Sequence, residues 1–223
     1  MPIIDSFTKE IAIIETLFGK SYEDAGGAGY RYYHSMRVAK TCESLAQYEQ
    51  VENPRLLVLA GLFHDIGKSE RIEQNGFLDG RQEADVLKGN HEDYTLVREL
   101  LQRYLADLQP DQDLDIVASY IAKNDTKESK LLKDADNLDE VGLVNVWKMF
   151  TYGGLKKISI KDTLDYYFEE DKPRLLKKID ALMNFDISKQ MASERVQKVD
   201  EFLRNLDKEC KAEDISVLRN SSF

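Results

Sequence analysis

The stretch Asn53 to Lys68, N-P-R-L-L-V-L-A-G-L-F-H-D-I-G-K, decides the reading of the fold. Asn53 can cap a helix, Pro54 suits its first position, where a missing N–H costs nothing, and Gly67 suits a left-handed residue just past the end. Those signals enclose about three and a half turns. Leu56, Leu57, Val58, Leu59, Ala60, Leu62, Phe63 and Ile66 cover nearly every side, and a helix apolar all round belongs in the middle of a packed core. His64 and Asp65, in its last turn, conflict with that setting. A core tolerates such groups only when they are hydrogen-bonded or bound to a metal.

Working outward, Ile3, Ile4, Phe7, Ile11, Ile14, Leu17 and Phe18 recur at helical spacing and predict a first helix ending before Gly19. A glycine-rich loop follows, then a second helix from near Tyr32 to about Glu49, on which His34, Arg37 and Val38 share a side. Beyond Lys68 the periodicity breaks for about twenty residues, and a long loop leaving a possible site is a lid candidate. Helical spacing returns from His91 to Leu105, from Leu114 to Ile121, and from Leu131 to Phe150. Three further helices are expected over Thr163 to Phe168, Pro173 to Met183 and Ser188 to Lys208. No alternating strand-like run of useful length interrupts this pattern. The expected architecture is therefore all-α, a single domain over residues 1–223 with eight or nine helices.

With 41 acidic against 31 basic residues the net charge is -10, which repels a nucleic-acid backbone unless a basic track is concentrated somewhere. The short pairs Lys156-Lys157 and Lys177-Lys178 read as solvated helix faces, so a nucleic-acid polymer is not the expected partner. The N-terminus lacks a basic segment followed by an apolar run, and no stretch approaches the length of a membrane span. A cytoplasmic protein without membrane attachment is the expectation. Cys42 and Cys210 match no metal or redox spacing and are expected to be free thiols.

The chain has three histidines, His34, His64 and His91, each at or next to a helical segment near the tip of the central helix. A second anionic cluster, D-A-D-N-L-D at 134 to 139, lies in the apolar frame of Leu131, Leu132, Leu138, Val141 and Leu143. Acids packed so densely repel unless solvated or neutralised by a cation. Together, H-S-M-R-V-A at 34 to 39, H-D-I-G-K at 64 to 68 and K-D-A-D-N-L-D-E-V-G at 133 to 142 resemble the H…HD…D pattern of the HD-domain superfamily of metal-dependent phosphohydrolases. The resemblance covers roughly residues 30–150, with helices at 160–210 expected to pack on that core. E-R-V-Q-K-V-D-E-F-L at 194 to 203 extends it weakly.

The resemblance implies metal ligands at His34, His64, Asp65 and Asp136, with Asp134 as runner-up to Asp136, and Asp139 orienting a ligand or water. Two imidazoles and two carboxylates suit one divalent transition metal, Mn, Fe, Co, Ni or Zn, better than Ca or Mg. Such a site lowers the pKa of water and polarises a phosphoryl oxygen. Asp65 and Lys68 join His91 as the implied catalytic residues. Lys68 faces phosphate in resembling proteins, although a lysine at a helix C-terminus also answers the dipole. Arg37 is a second phosphate candidate or a salt-bridge partner of Asp65 or Asp139. His91 is placed where some members donate a proton to the leaving group. Others hold a second metal with an extra histidine pair, and Asn124 stands where its later partner is expected, which favours one metal. Glu70 and Glu83 are candidate bases. The implied activity is hydrolysis of a phosphomonoester or pyrophosphate bond in a small phosphorylated molecule, a nucleotide first of all. The rival readings are a metal- and nucleotide-binding sensor without turnover, and a helical interaction protein.

Overall fold

The computed structural model describes residues 1–23, 26–69, 93–122 and 125–215. A 3-10 turn at Ile3–Ser6 leads into α1 (Thr8–Phe18), which ends before Gly19 as its spacing requires. Its entry is fixed from a distance, because the Glu43 carboxylate accepts the Ile3 and Ile4 N–H groups at 2.7 and 3.3 Å. The following loop contains a two-residue hairpin, β1 (Tyr22–Glu23) and β2 (Gly27–Ala28), the only sheet among the described residues. Next come α2 (Tyr30–Tyr48) and α3 (Pro54–Phe63). Pro54 takes the first position of α3, and Asn53 occupies the cap without a side-chain bond.

α3 stops at Phe63, so His64 and Asp65 form a turn and Ile66–Lys68 a 3-10 helix. Gly67 lies within that turn and is not left-handed, contrary to its reading as a cap, because the α-helix has already ended at Phe63. α4 (Tyr94–Leu105) is capped by Asp93, whose carboxylate accepts the Leu96 N–H at 3.0 Å. α5 (Asp111–Ile121) and α6 (Lys127–Asp139) follow. The expected single helix from Leu131 to Phe150 is two helices: α6 ends at Asp139 and α7 (Leu143–Lys156) begins after Gly142. Gly142 has φ 107°, a value that side chains strongly disfavour and that ends the helical path. α8 (Ile160–Tyr166) runs through a π-helical Tyr167–Asp171 into α9 (Lys172–Leu182), and α10 (Asp186–Cys210) closes the described chain. Among the described residues these ten α-segments make nine rods, and the fold is all-α.

Residue contacts divide the chain into two compact units, Met1–Asp139 and Glu140–Phe223. In the first, α3 is central, with every residue from Leu56 to Phe63 buried and α1, α2, α5 and α6 packed around it. α2 approaches it closely at Gly61. A Cβ there would stand 2.8 Å from the Ala39 Cα and 3.1 Å from both the Ala39 nitrogen and the Cys42 Sγ. Only a glycine lets the two helices come this near; α2 carries His34, and His64 directly follows α3. The second unit has its own apolar centre, including Val146, Leu164, Tyr167, Ile179, Val196 and Leu203. Trp147, whose residue type reads as core by default with a substrate wall or a dimer contact as the alternatives, is 63% exposed, because α7 turns Val146 and Gly153 inward instead. No helix of the described residues is long and apolar enough to cross a membrane.

Candidate metal centre

Three elements bring the site together within the first unit. α2 carries His34 in its second turn, the turn after α3 carries His64 and Asp65, and α6 carries Asp136 and Asp139 near its end. Because α3 ends at Phe63, successive residues 64 and 65 leave the 100° step of a helix and turn toward the same point. His34 Nε2 lies 3.0 Å from His64 Nε2 and 3.2 Å from Asp136 Oδ1. His64 Nε2 lies 3.6 Å from Asp136 Oδ1, and Asp65 reaches to 3.6 Å of His64 Nε2 and 3.7 Å of His34 Nε2. Donors bound to one ion at about 2.1 Å stand roughly 3.0 Å apart at right angles and roughly 3.4 Å apart in a tetrahedron. His34, His64 and Asp136 therefore form a cluster fit for one divalent metal, with Asp65 at its edge.

The imidazoles are oriented for that role. His64 Nδ1 lies 2.9 Å from the Gly61 carbonyl, which only accepts, so Nδ1 donates and the Nε2 lone pair is left facing inward. His34 Nδ1 lies 2.7 Å from Asp139 Oδ2. Asp139 is itself gripped by Arg37, whose Nε and Nη2 donate to its two oxygens at 2.6 and 2.9 Å. The Tyr30 ring stacks on His34 at 5.8 Å between centroids. Two inward lone pairs 3.0 Å apart repel unless a proton or a cation lies between them. Such a donor set fits a metal ion, and the outer hydrogen bonds are those that fix tautomer and raise ligand basicity.

In the metal-free chain, protons answer the same charge. Burial works against a charged His34, but hydrogen bonds to Asp136 and Asp139 outweigh it and raise the imidazole from 6.5 to about 9. Burial also opposes ionisation of Asp139, and the His34 and Arg37 hydrogen bonds prevail, taking it to about 2. For Asp65 the burial penalty is overcome by Lys68, His64, Arg31 and His34, which hold the carboxyl well below its ordinary range. Asp136 is held low against burial by its hydrogen bonds with the two histidines.

A family model described as the HD domain matches residues 31–141, the span that contains every residue of this cluster. The chain belongs to the HD-domain superfamily. An HD-superfamily hydrolase from Bacillus thuringiensis is similar over 94% of this chain and 99% of its own, with 26% identity and a TM-score of 0.61. Bacillus subtilis YpgQ, solved in complex with ADP, matches over 94% of this chain and 97% of its own at 21% identity and a TM-score of 0.61. A Listeria innocua protein matches over 95% and 98% at 21% identity and a TM-score of 0.59. No curated protein matches the chain. Fold and cluster together make this an HD-type metal-dependent phosphohydrolase.

Of the aspartates in the last motif, Asp136 brings an oxygen to both imidazoles, whereas Asp134 is wholly buried and outside the cluster. Lys68 donates to Asp65 Oδ1 at 2.8 Å. Arg37 takes the salt-bridge alternative, on Asp139. His91, Glu70, Glu83, Asn124 and the lid candidate after Ser69 lie outside the described residues. One site residue escaped the sequence reading. Arg31, in the first turn of α2, donates from Nη1 to Asp65 Oδ2 at 2.7 Å. Its spacing of three from His34 puts it on the same helix face, which was the available signal.

Proposed function

We propose that the chain hydrolyses a phosphomonoester or pyrophosphate bond of a small phosphorylated molecule, a nucleotide first of all, at a single divalent metal. The carrying observation is the convergence of His34 Nε2, His64 Nε2 and Asp136 Oδ1 within 4.8 Å of one another, beside Asp65 and Lys68. His34, His64, Asp65 and Asp136 are the ligands in this reading. When bound, a divalent transition metal, Mn, Fe, Co, Ni or Zn, supplies a water that ionises near neutral pH and a Lewis acid for the phosphoryl oxygen. Lys68, on its flexible stem, exchanges Asp65 for a non-bridging phosphoryl oxygen and offsets its charge. Asp139 keeps the His34 proton on Nδ1, and the Gly61 carbonyl does the same for His64, so that both Nε2 lone pairs stay available. His91 acts as the acid toward the leaving group. The ADP held by YpgQ supports a nucleotide as ligand, and the net charge of -10 argues for a small molecule held at a local cationic point over a polymer. Free Cys42 and Cys210 suit a reducing cytoplasm.

The test is release of phosphate or pyrophosphate from a panel of nucleotides with Mn, Co or Ni added to chelator-treated protein. Turnover of at least one member, lost on Asp136→Ala, is expected. Metal binding with no turnover across the panel would overturn hydrolysis in favour of a sensor.

A further inference from the structure

Asp65 is clasped from both sides. Arg31 Nη1 donates to Oδ2 at 2.7 Å, and Lys68 Nζ to Oδ1 at 2.8 Å. Each of those oxygens also faces an imidazole, Oδ2 toward His34 Nε2 at 3.7 Å and Oδ1 toward His64 Nε2 at 3.6 Å. The two cations thus pull on opposite oxygens and set the rotation of the carboxylate plane. They are not equivalent. Lys68 belongs to the same turn as Asp65, three residues on, and ends a flexible stem. Arg31 comes from another helix, 34 residues away in sequence, and its side chain is only 9% exposed.

Stability alone does not account for Arg31. A cation in the first turn of a helix opposes the dipole, and a buried ion pair is often no better than apolar residues of the same volume. What Arg31 achieves is geometric, since its planar guanidinium holds one carboxylate oxygen in place while the other changes partner. We infer that Arg31 is a positioning residue for Asp65. It keeps this carboxylate aimed at the metal cluster when Lys68 leaves it for a phosphoryl oxygen. The inference rests on the metal-site reading of the preceding section.

The experiment is calorimetric titration of manganese chloride into the full chain after chelator treatment, for wild type, Arg31→Gln, Arg31→Lys and Lys68→Met, followed by KM and kcat on the best nucleotide. Arg31→Gln is expected to weaken Mn binding about 10- to 100-fold, the usual effect of removing a group that orients a ligand. Its kcat falls with KM little changed. Lys68→Met shows the opposite split, with Mn affinity within about threefold of wild type and a raised KM. Arg31→Lys keeps the charge without the fork and falls between Arg31→Gln and wild type. A purely structural role would lower the melting temperature and leave Mn affinity alone, so a folded Arg31→Gln that binds Mn like wild type overturns the inference. If Arg31→Gln does not fold, Arg31→Lys decides: weakened Mn binding supports it and unchanged binding overturns it. Wild type that binds no Mn overturns the metal-site reading and this inference together, whereas the other negative results leave that reading standing.

Discussion

Asp65 and Asp200 are each held by two cations, yet they sit in opposite surroundings. Asp65 pairs with Arg31 and Lys68 at 2.7 and 2.8 Å, with its side chain 6% exposed and two imidazoles beside it. Asp200, in the second unit, pairs with Lys172 and Arg204 at 2.6 and 2.8 Å, and Arg204 is 59% exposed. The two described histidines, His34 and His64, both belong to the first unit. Asp200 and Lys172 are partly buried and Arg204 is exposed, and pairs that water still reaches contribute little, because it does nearly as well for each ion. Buried ones carry a desolvation cost that stability seldom returns. A concentration of buried charge around two inward-facing imidazoles is therefore explained by what it holds in position, and the Asp200 network by ordinary surface chemistry.

Substitutions should separate the two regions. The largest effect is expected at Gly61→Ala, where a new Cβ meets the α2 backbone at 2.8 Å. Overpacking of that kind costs about 1–3 kcal/mol, readable in urea unfolding, and forcing α2 from α3 also parts His34 from His64 and weakens Mn binding. Retained stability together with retained Mn affinity would show that the close approach sets neither. Next is Asp139→Asn, which keeps shape but removes charge from the His34 and Arg37 contacts. Metal affinity should fall about 10- to 100-fold in calorimetry, with a smaller change in unfolding. A third effect follows from His34. Its value of about 9 in the metal-free chain means that at pH 7 an entering metal must displace a proton. About one proton should be released into weak buffer at pH 7 and almost none at pH 10; equal release at both would place that proton elsewhere. The sign for folding is also set: stabilisation of metal-free protein by this proton is complete below about 6.5 and disappears as pH rises through about 9. The smallest effect is Arg204→Ala, expected to change stability by no more than about 1 kcal/mol and Mn affinity not at all.

Much of the first unit was legible because apolar periodicity and local chemistry agree there. An apolar segment with a polar tip can only be central, so α3, His64 and Asp65 were readable, and His34 and Asp136 followed from their motifs. Arg31 was not, since a pairing 34 residues apart leaves only the weak hint of a shared helix face. The break between α6 and α7 was hidden for a different reason. Leu138, Val141 and Val146 continue the apolar spacing straight through it, and only the positive φ of Gly142 reveals the interruption. The join of α8 to α9 was equally invisible, because Pro173 reads as the start of a new helix, whereas a π-helical turn over Tyr167–Asp171 carries the helical path up to it. Trp147 shows the limit of reading burial from residue type, as α7 has apolar residues around its circumference and only one face can turn inward.

Whether His34, His64, Asp65 and Asp136 form a metal centre is decided by elemental analysis of protein purified without chelator, wild type beside His64→Ala. The expected result is close to one transition-metal ion per wild-type chain and little or none in the folded variant. No metal in wild type, or the same content in both, would contradict it.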